Sequence, residues 1–151
     1  SEANAIAPGK RPLSSMTPTM LENDQQLAIL GTPGGSRIIT MVLLGALEAV
    51  QGESVERWVS RPRFHHQYLP DHIQVEDAAF SAEQQSALEA MGHRVEPVGR
   101  DYGNMQAVSW DKSSNQVTAA SDPRGIGEAN VQRVNARSNG HKAAKTGAIA
   151  Q

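Results

Sequence analysis

The spacing of apolar and polar positions changes period several times along the chain, and each change marks an element. Thr17 to Leu21 and Gln26 to Leu30 read as short strands around the turn residues Glu22-Asn23-Asp24, which makes a hairpin. From Ile38 to Val50 nearly every position is apolar, and such a run predicts a helix covered on more than one side and ended by Gly52. Ser54 is placed to cap a second helix, Val55 to Ser60, which Pro62 stops by excluding helical geometry from the residue before it. Arg63 to Leu69 and Ile73 to Glu76 are predicted as strands. Ser81 to Met91 follows as a helix, with Ser81 and Gln84 at the two capping-box positions and Gly92 as its stop. Arg94 to Val98 is one more strand, and Met105 to Trp110 with Gln116 to Ala120 form a second hairpin. Helices mixed with antiparallel strand pairs place the chain in the α+β class.

The stretch that joins the first hairpin to the long helix carries the most chemistry. In Gly31-Thr32-Pro33-Gly34-Gly35-Ser36-Arg37 the glycines sit at a strand-to-helix turn. The first N–H groups of a helix have no intrahelical partner, and the helix dipole adds partial positive charge there. Gly34 and Gly35 would let an anion or oxyanion approach those groups with no β-carbon in the way. The same residues also suit a plain turn. A phosphate-binding P-loop does not fit, because the Gly-x-x-x-x-Gly-Lys-Ser/Thr spacing is missing. Ser14 and Ser15 precede the first strand of the hairpin, so they are expected near the glycines on one rim of the sheet, with hydroxyls able to donate to a carboxylate.

Composition narrows the class. A chain of 151 residues, 38% hydrophobic, with two Phe, two Tyr and two Trp, fits one domain with an aliphatic core. A net charge of −2 excludes the strongly basic character of a dedicated nucleic-acid binder, and the absence of cysteine excludes disulfides and thiolate chemistry. The apolar run from Ile38 falls short of the ~20 residues of a membrane span, and no signal-peptide pattern is seen at Ser1. Composition shifts after Pro123. Residues 1–124 read as the folded unit, and 125–151, rich in Ala, Asn and Gly, reads as a disordered basic tail that with Arg124 sets five basic residues against Glu128.

Other clusters carry weaker signals. His65, His66 and His72 match no zinc spacing, and no carboxylate stands as an obvious further ligand, so they are expected to pack rather than bind metal. Arg61 and Arg63, with Arg37, could form an anion clamp or pair with carboxylates; pairing is the favoured expectation. Ser1 has the form of an N-terminal nucleophile whose own amine serves as base.

Four blocks occur in a fixed order: Arg11 to Thr19 with Ser14-Ser15-Met16 inside it, Gly31 to Ile38, Arg61 to Asp71, and Ala120 to Arg124. Together they resemble the small subunit of γ-glutamyltranspeptidases, from Ser1 to about Arg124. The resemblance implies an αββα N-terminal-nucleophile hydrolase fold, two antiparallel sheets stacked between helices, of which this chain would be the C-terminal small-subunit portion. It implies transfer of a γ-glutamyl group from glutathione to water or to an amino acid or peptide acceptor, without a cofactor. Gly34 and Gly35 would form the oxyanion hole, and Ser14 and Ser15 would hold the γ-glutamyl α-carboxylate. The resemblance argues against Ser1, since the family's nucleophile is a threonine well upstream of the Ser-Ser-Met block. That segment is not in this chain, which is therefore expected to be inactive alone. The partners implied are the remainder of the small subunit and the large subunit, in a periplasmic or extracellular setting. Two other readings stay open: a related cephalosporin (glutaryl) acylase, and a catalytically silent fragment or binding module.

Overall fold

Two hairpins far apart in the sequence meet edge to edge. In the computed structural model, which describes residues 2–133, β1 (Thr19–Glu22) pairs with β2 (Gln26–Gly31), and β6 (Gln106–Asp111) pairs with β7 (Gln116–Ser121). β2 and β6 then pair antiparallel, Gln26 opposite Asp111 through Gly31 opposite Gln106, giving the order β1-β2-β6-β7. Each hairpin turn is pinned by one side chain. Asn23 Oδ1 accepts from the N–H groups of Gln25 and Gln26, and Asp111 Oδ1 accepts from those of Ser113 and Ser114.

Alternation fixes which face of this sheet is covered. Ala28, Leu30, Ala107 and Ala120 point to one side and form the core with Ile38, Met41, Val42 and Ala49 of α1 (Ile38–Val50) and with Val55, Trp58 and Val59 of α2 (Val55–Ser60). α1 lies close to the sheet at Gly45, where an added β-carbon would stand 3.0 Å from both Leu30 Cδ1 and Met105 Sδ. Among the described residues the long helix is covered by the sheet, by α2 and by the strand Phe64–His65, but not all round. Its outer stripe, Ile39, Leu43, Leu47 and Val50, remains exposed. On the far side of the sheet Ile29, Val108, Trp110 and Val117 are partly exposed, so this apolar face is only partly covered among the described residues.

The second sheet is smaller and corrects two expectations. β3 is only Phe64–His65, because the chain leaves the strand at His66, whose ring pairs with Asp71, and at Gln67, whose amide donates to the Leu69 carbonyl. β3 pairs antiparallel with β4 (Ile73–Val75), but β4 pairs parallel with β5 (Val95–Pro97). α3 (Ala82–Ala90) makes the crossover that a parallel pair requires. Its capping box is formed, with Ser81 Oγ accepting from Gln84 N and Gln84 Oε1 accepting from Ser81 N. Ile73, Val75 and Val95 pack with Phe64, Phe80 and Leu88 beneath it.

Of the segment expected to be a basic tail, residues 134–151 lie outside the described part. The nearer portion follows the body of the protein. Gly125 donates to the Asp122 carbonyl, and Glu128, Ala129 and Asn130 line a cleft with Ile29, Val108 and Ala119.

Candidate functional site

β2 ends at Gly31, and the chain turns through Thr32, Pro33 and Gly34 into a 3-10 turn, Gly35–Arg37, that runs directly into α1. The turn closes with Arg37 N–H donating to Gly34 O and Ile38 N–H donating to Gly35 O. Neither the Gly34 nor the Gly35 N–H donates to a protein acceptor among the described residues, and both glycines are exposed. Two backbone donors thus stand free at the head of a thirteen-residue helix. Gly34 has φ 156 and Gly35 φ 59, backbone that side chains rarely adopt. The turn is anchored from behind as well, since Asn104 N–H donates to Thr32 Oγ1 at 3.1 Å.

The β1–β2 ladder ends with Thr19 opposite Leu30, so residues 14–18 leave the sheet at the same end as Gly31 to Gly35. Ser14 is exposed and Ser15 half-buried. Ser14 Oγ accepts from Met16 N–H at 3.3 Å, and the Ser15 hydroxyl has no protein partner among the described residues. The serine pair and the glycine pair therefore flank one end of the sheet, each with donors directed away from the fold's own hydrogen bonding.

Arg63 occupies a different environment. It is 2% exposed, donates to Asp122 Oδ2 at 2.5 Å and to the Val59 carbonyl at 2.9 Å, and also reaches the Tyr102 carbonyl. Arg124 joins the same cluster, donating to Glu76 Oε2 at 2.7 Å and Asp122 Oδ1 at 3.0 Å. Arg61 pairs with the buried Glu48 at 2.7 Å. Pairing with carboxylates is thus the role of Arg61 and Arg63. Burial by itself would raise the Asp122 carboxyl, but the N–H groups of Met105 and Arg124 and the Arg63 guanidinium hold it below the usual carboxylate range. Burial likewise pushes the Tyr102 phenol up to about 12. Sequence reading did not single out Glu48, Glu76 or Asp122. Their signal was faint: each is an acidic residue inside an apolar stretch or beside proline, which is unusual unless it is paired.

The histidines separate. His65 is 4% exposed and shares hydrogen bonds with Thr40 Oγ1 at 2.8 Å and Gln67 Oε1 at 2.9 Å. His66 faces Asp71, and His72 faces Glu96. Among the described residues, no three groups of His, Asp or Glu are placed to hold one metal ion.

The mixed fold that carries this turn matches solved gamma-glutamyltranspeptidases, which places it among the N-terminal-nucleophile hydrolases. Comparison with known proteins names the branch. The family model described as gamma-glutamyltranspeptidase matches residues 1–132. The glutathione hydrolase proenzyme of Escherichia coli (strain K12) is 41% identical over 127 residues, covering 83% of this chain and 21% of that protein. The structure of gamma-glutamyltranspeptidase from Pseudomonas nitroreducens complexed with L-DON matches with a TM-score of 0.74 at 39% identity, covering 88% of this chain and 70% of that one. Cephalosporin acylase from Bacillus halodurans matches at 20% identity with a TM-score of 0.63, over 71% of this chain and 20% of that one, a likeness of fold alone. The chain belongs to the gamma-glutamyltranspeptidase family. It spans about a fifth of the length of the bacterial glutathione hydrolase proenzymes it matches.

Proposed function

We propose that this chain is the C-terminal part of the small subunit of a γ-glutamyltransferase and glutathione hydrolase. The observation that carries the proposal is the pair of unpartnered N–H groups at Gly34 and Gly35. When a nucleophile adds to the γ-glutamyl carbonyl, the oxygen gains negative charge, and donors already aimed at that position stabilise it without reorganisation. The nucleophile is a threonine outside these residues. It becomes acylated, and water or an amine acceptor then takes the γ-glutamyl group from it. Ser14 and Ser15 donate to the α-carboxylate of the γ-glutamyl group, which fixes the substrate's far end while the reacting carbon lies against the glycines. The partners are γ-glutamyl compounds such as glutathione, the rest of the small subunit, and the large subunit. The setting is periplasmic or extracellular.

A chromogenic γ-glutamyl anilide tests this. The isolated chain should show background turnover only, while the complete enzyme should turn over. In the complete enzyme, Gly35→Val should lower kcat about a hundredfold, because a β-branched residue cannot hold φ 59 and the N–H turns away. Ser14→Ala or Ser15→Ala should act chiefly on KM. Turnover by the pure chain that disappears on Ser1→Ala would move the nucleophile to Ser1 and overturn the proposal.

A further inference from the structure

Arg61, Arg63 and Arg124 are withdrawn from solvent, and each meets a carboxylate at 2.5 to 3.0 Å. Arg37 is half-buried too, yet among the described residues it meets none. Its Nε and Nη2 both donate to the neutral amide oxygen of Gln74, at 3.0 and 2.5 Å. Its guanidinium carbon sits 5.1 Å from the centroid of the Tyr102 ring. The fork is thus held along one edge and one face, and Nη1 is left without a protein acceptor among the described residues. A cation drawn out of water with no counter-charge costs free energy that an anion would offset.

This side chain borders a cavity of about 230 Å³ whose remaining wall is Ser36, His65, Gln67, Pro70, His72 and Gln74. Six of its seven lining residues carry polar side chains, and none is a carboxylate. The acidic group nearest in the bonding pattern, Glu96, is engaged by His72 at 3.4 Å and Arg94 at 2.9 Å and is not part of the wall. The cavity adjoins the glycine turn, since its lining residue Ser36 directly follows Gly35. Arg37 follows Gly35 by two residues in the same 3-10 turn, which keeps its side chain within reach of a small acceptor such as an amino acid or dipeptide bound at the glycine donors.

The geometry points to a subsite here for the free carboxylate of the amino acid or peptide acceptor, an assignment that rests on the function proposed above. The acceptor's amine forms the new amide bond as the ester to threonine breaks, and its proton passes to the threonine oxygen. Arg37 holds the other end of the acceptor through its carboxylate. Gln74 and Tyr102 act as positioning residues for the guanidinium.

The test uses the complete, processed enzyme and two acceptors that share an amine and differ in the carboxylate, glycylglycine and glycylglycinamide. Arg37→Gln should lower kcat/KM for glycylglycine relative to glycylglycinamide by about tenfold or more, the value of a charge-assisted hydrogen bond. General damage to the fold would lower both acceptors in proportion and leave the ratio where it was. Arg37→Lys should recover part of the ratio, and acetate should compete with glycylglycine in the unaltered enzyme, an arm that needs no variant. An unchanged ratio in Arg37→Gln overturns the assignment, since it means that a carboxylate from the rest of the protein neutralises Arg37. Acetate inhibition that does not compete with glycylglycine overturns it in favour of a free regulatory anion. Hydrolysis of the donor without acceptor reports on the proposed function by itself. An enzyme that hydrolyses but shows the same ratio with and without Arg37 fails this inference alone, and one that neither hydrolyses nor transfers fails both.

Discussion

The methyl end of Met41 fills the space that a β-carbon on Gly34 would need. Met41 is 1% exposed and also occupies the space beside Gly103 that a β-carbon there would need, so a side chain on Gly34 requires its thioether end to repack. The floor under the glycine turn is therefore a packed thioether one helical turn further along α1. In the complete enzyme Gly34→Ala should lower kcat about a hundredfold by displacing a donor from the oxyanion. Around Gly35 the β position is open, so Gly35→Ala meets only the strain of positive φ, roughly 1 to 3 kcal/mol, and should cost far less rate. Steady-state kinetics of the two variants side by side decide the matter; equal losses would separate Met41 from the turn's geometry.

Asp122 is the hinge of the buried charge cluster, accepting from Arg63, Arg124 and the Met105 N–H. Asp122→Asn leaves Arg124 with Glu76 as its remaining carboxylate and the Arg63 guanidinium with backbone carbonyls alone. The expected loss is about 3 to 5 kcal/mol, the cost of breaking a buried pair from one side. Denaturant unfolding measures it, and a loss under about 1 kcal/mol would show that the cluster relaxes around the change.

Acid should find the same residue. The folded Asp122 carboxyl titrates below its unfolded value, so its contribution to stability is present above the unfolded pKa of about 3.9 and is lost as pH falls through the lower folded value. Stability followed from pH 5 downward should therefore fall with a component that Asp122→Asn removes. A variant whose acid profile parallels that of the unaltered protein would refute the assignment.

Ser81→Ala removes the side-chain acceptor from the Gln84 N–H and leaves α3 uncapped, at about 1 kcal/mol. Ser81→Asn should recover most of that loss, because an Asn oxygen can take the same N–H. Thermal unfolding of the two variants compares them directly.

Local chemistry was readable from the sequence, and long-range chemistry was not. The capping box at Ser81 and Gln84 involves residues three apart, so periodicity and capping rules reach it. The free N–H groups of Gly34 and Gly35 follow in the same way from a strand, two glycines and a helix in succession. The direction of β5 does not follow, because a three-residue strand such as Val95–Pro97 reads alike whether it pairs parallel or antiparallel with β4. Arg63 and Asp122 lie 59 residues apart, and no rule of spacing says that these two charges leave water together. Met41 looked like any other apolar position of α1, and its contact with the Gly34 turn became visible only when the helix was set on the sheet.

Across the paired strands β2 and β6 the Gln26 side-chain amide donates to Ser109 Oγ, 83 residues further on. During synthesis the glycine turn emerges before β6 and β7, beside a hairpin with one edge still unfilled. α1 acquires the alanine face of β6 and β7 only after both of those strands have left the ribosome, and loop closure over such a separation is slow. The two N–H groups thus gain their rigid backing last. A nascent chain stopped before Gln106 would carry the full glycine motif and lack the surface that holds it in place.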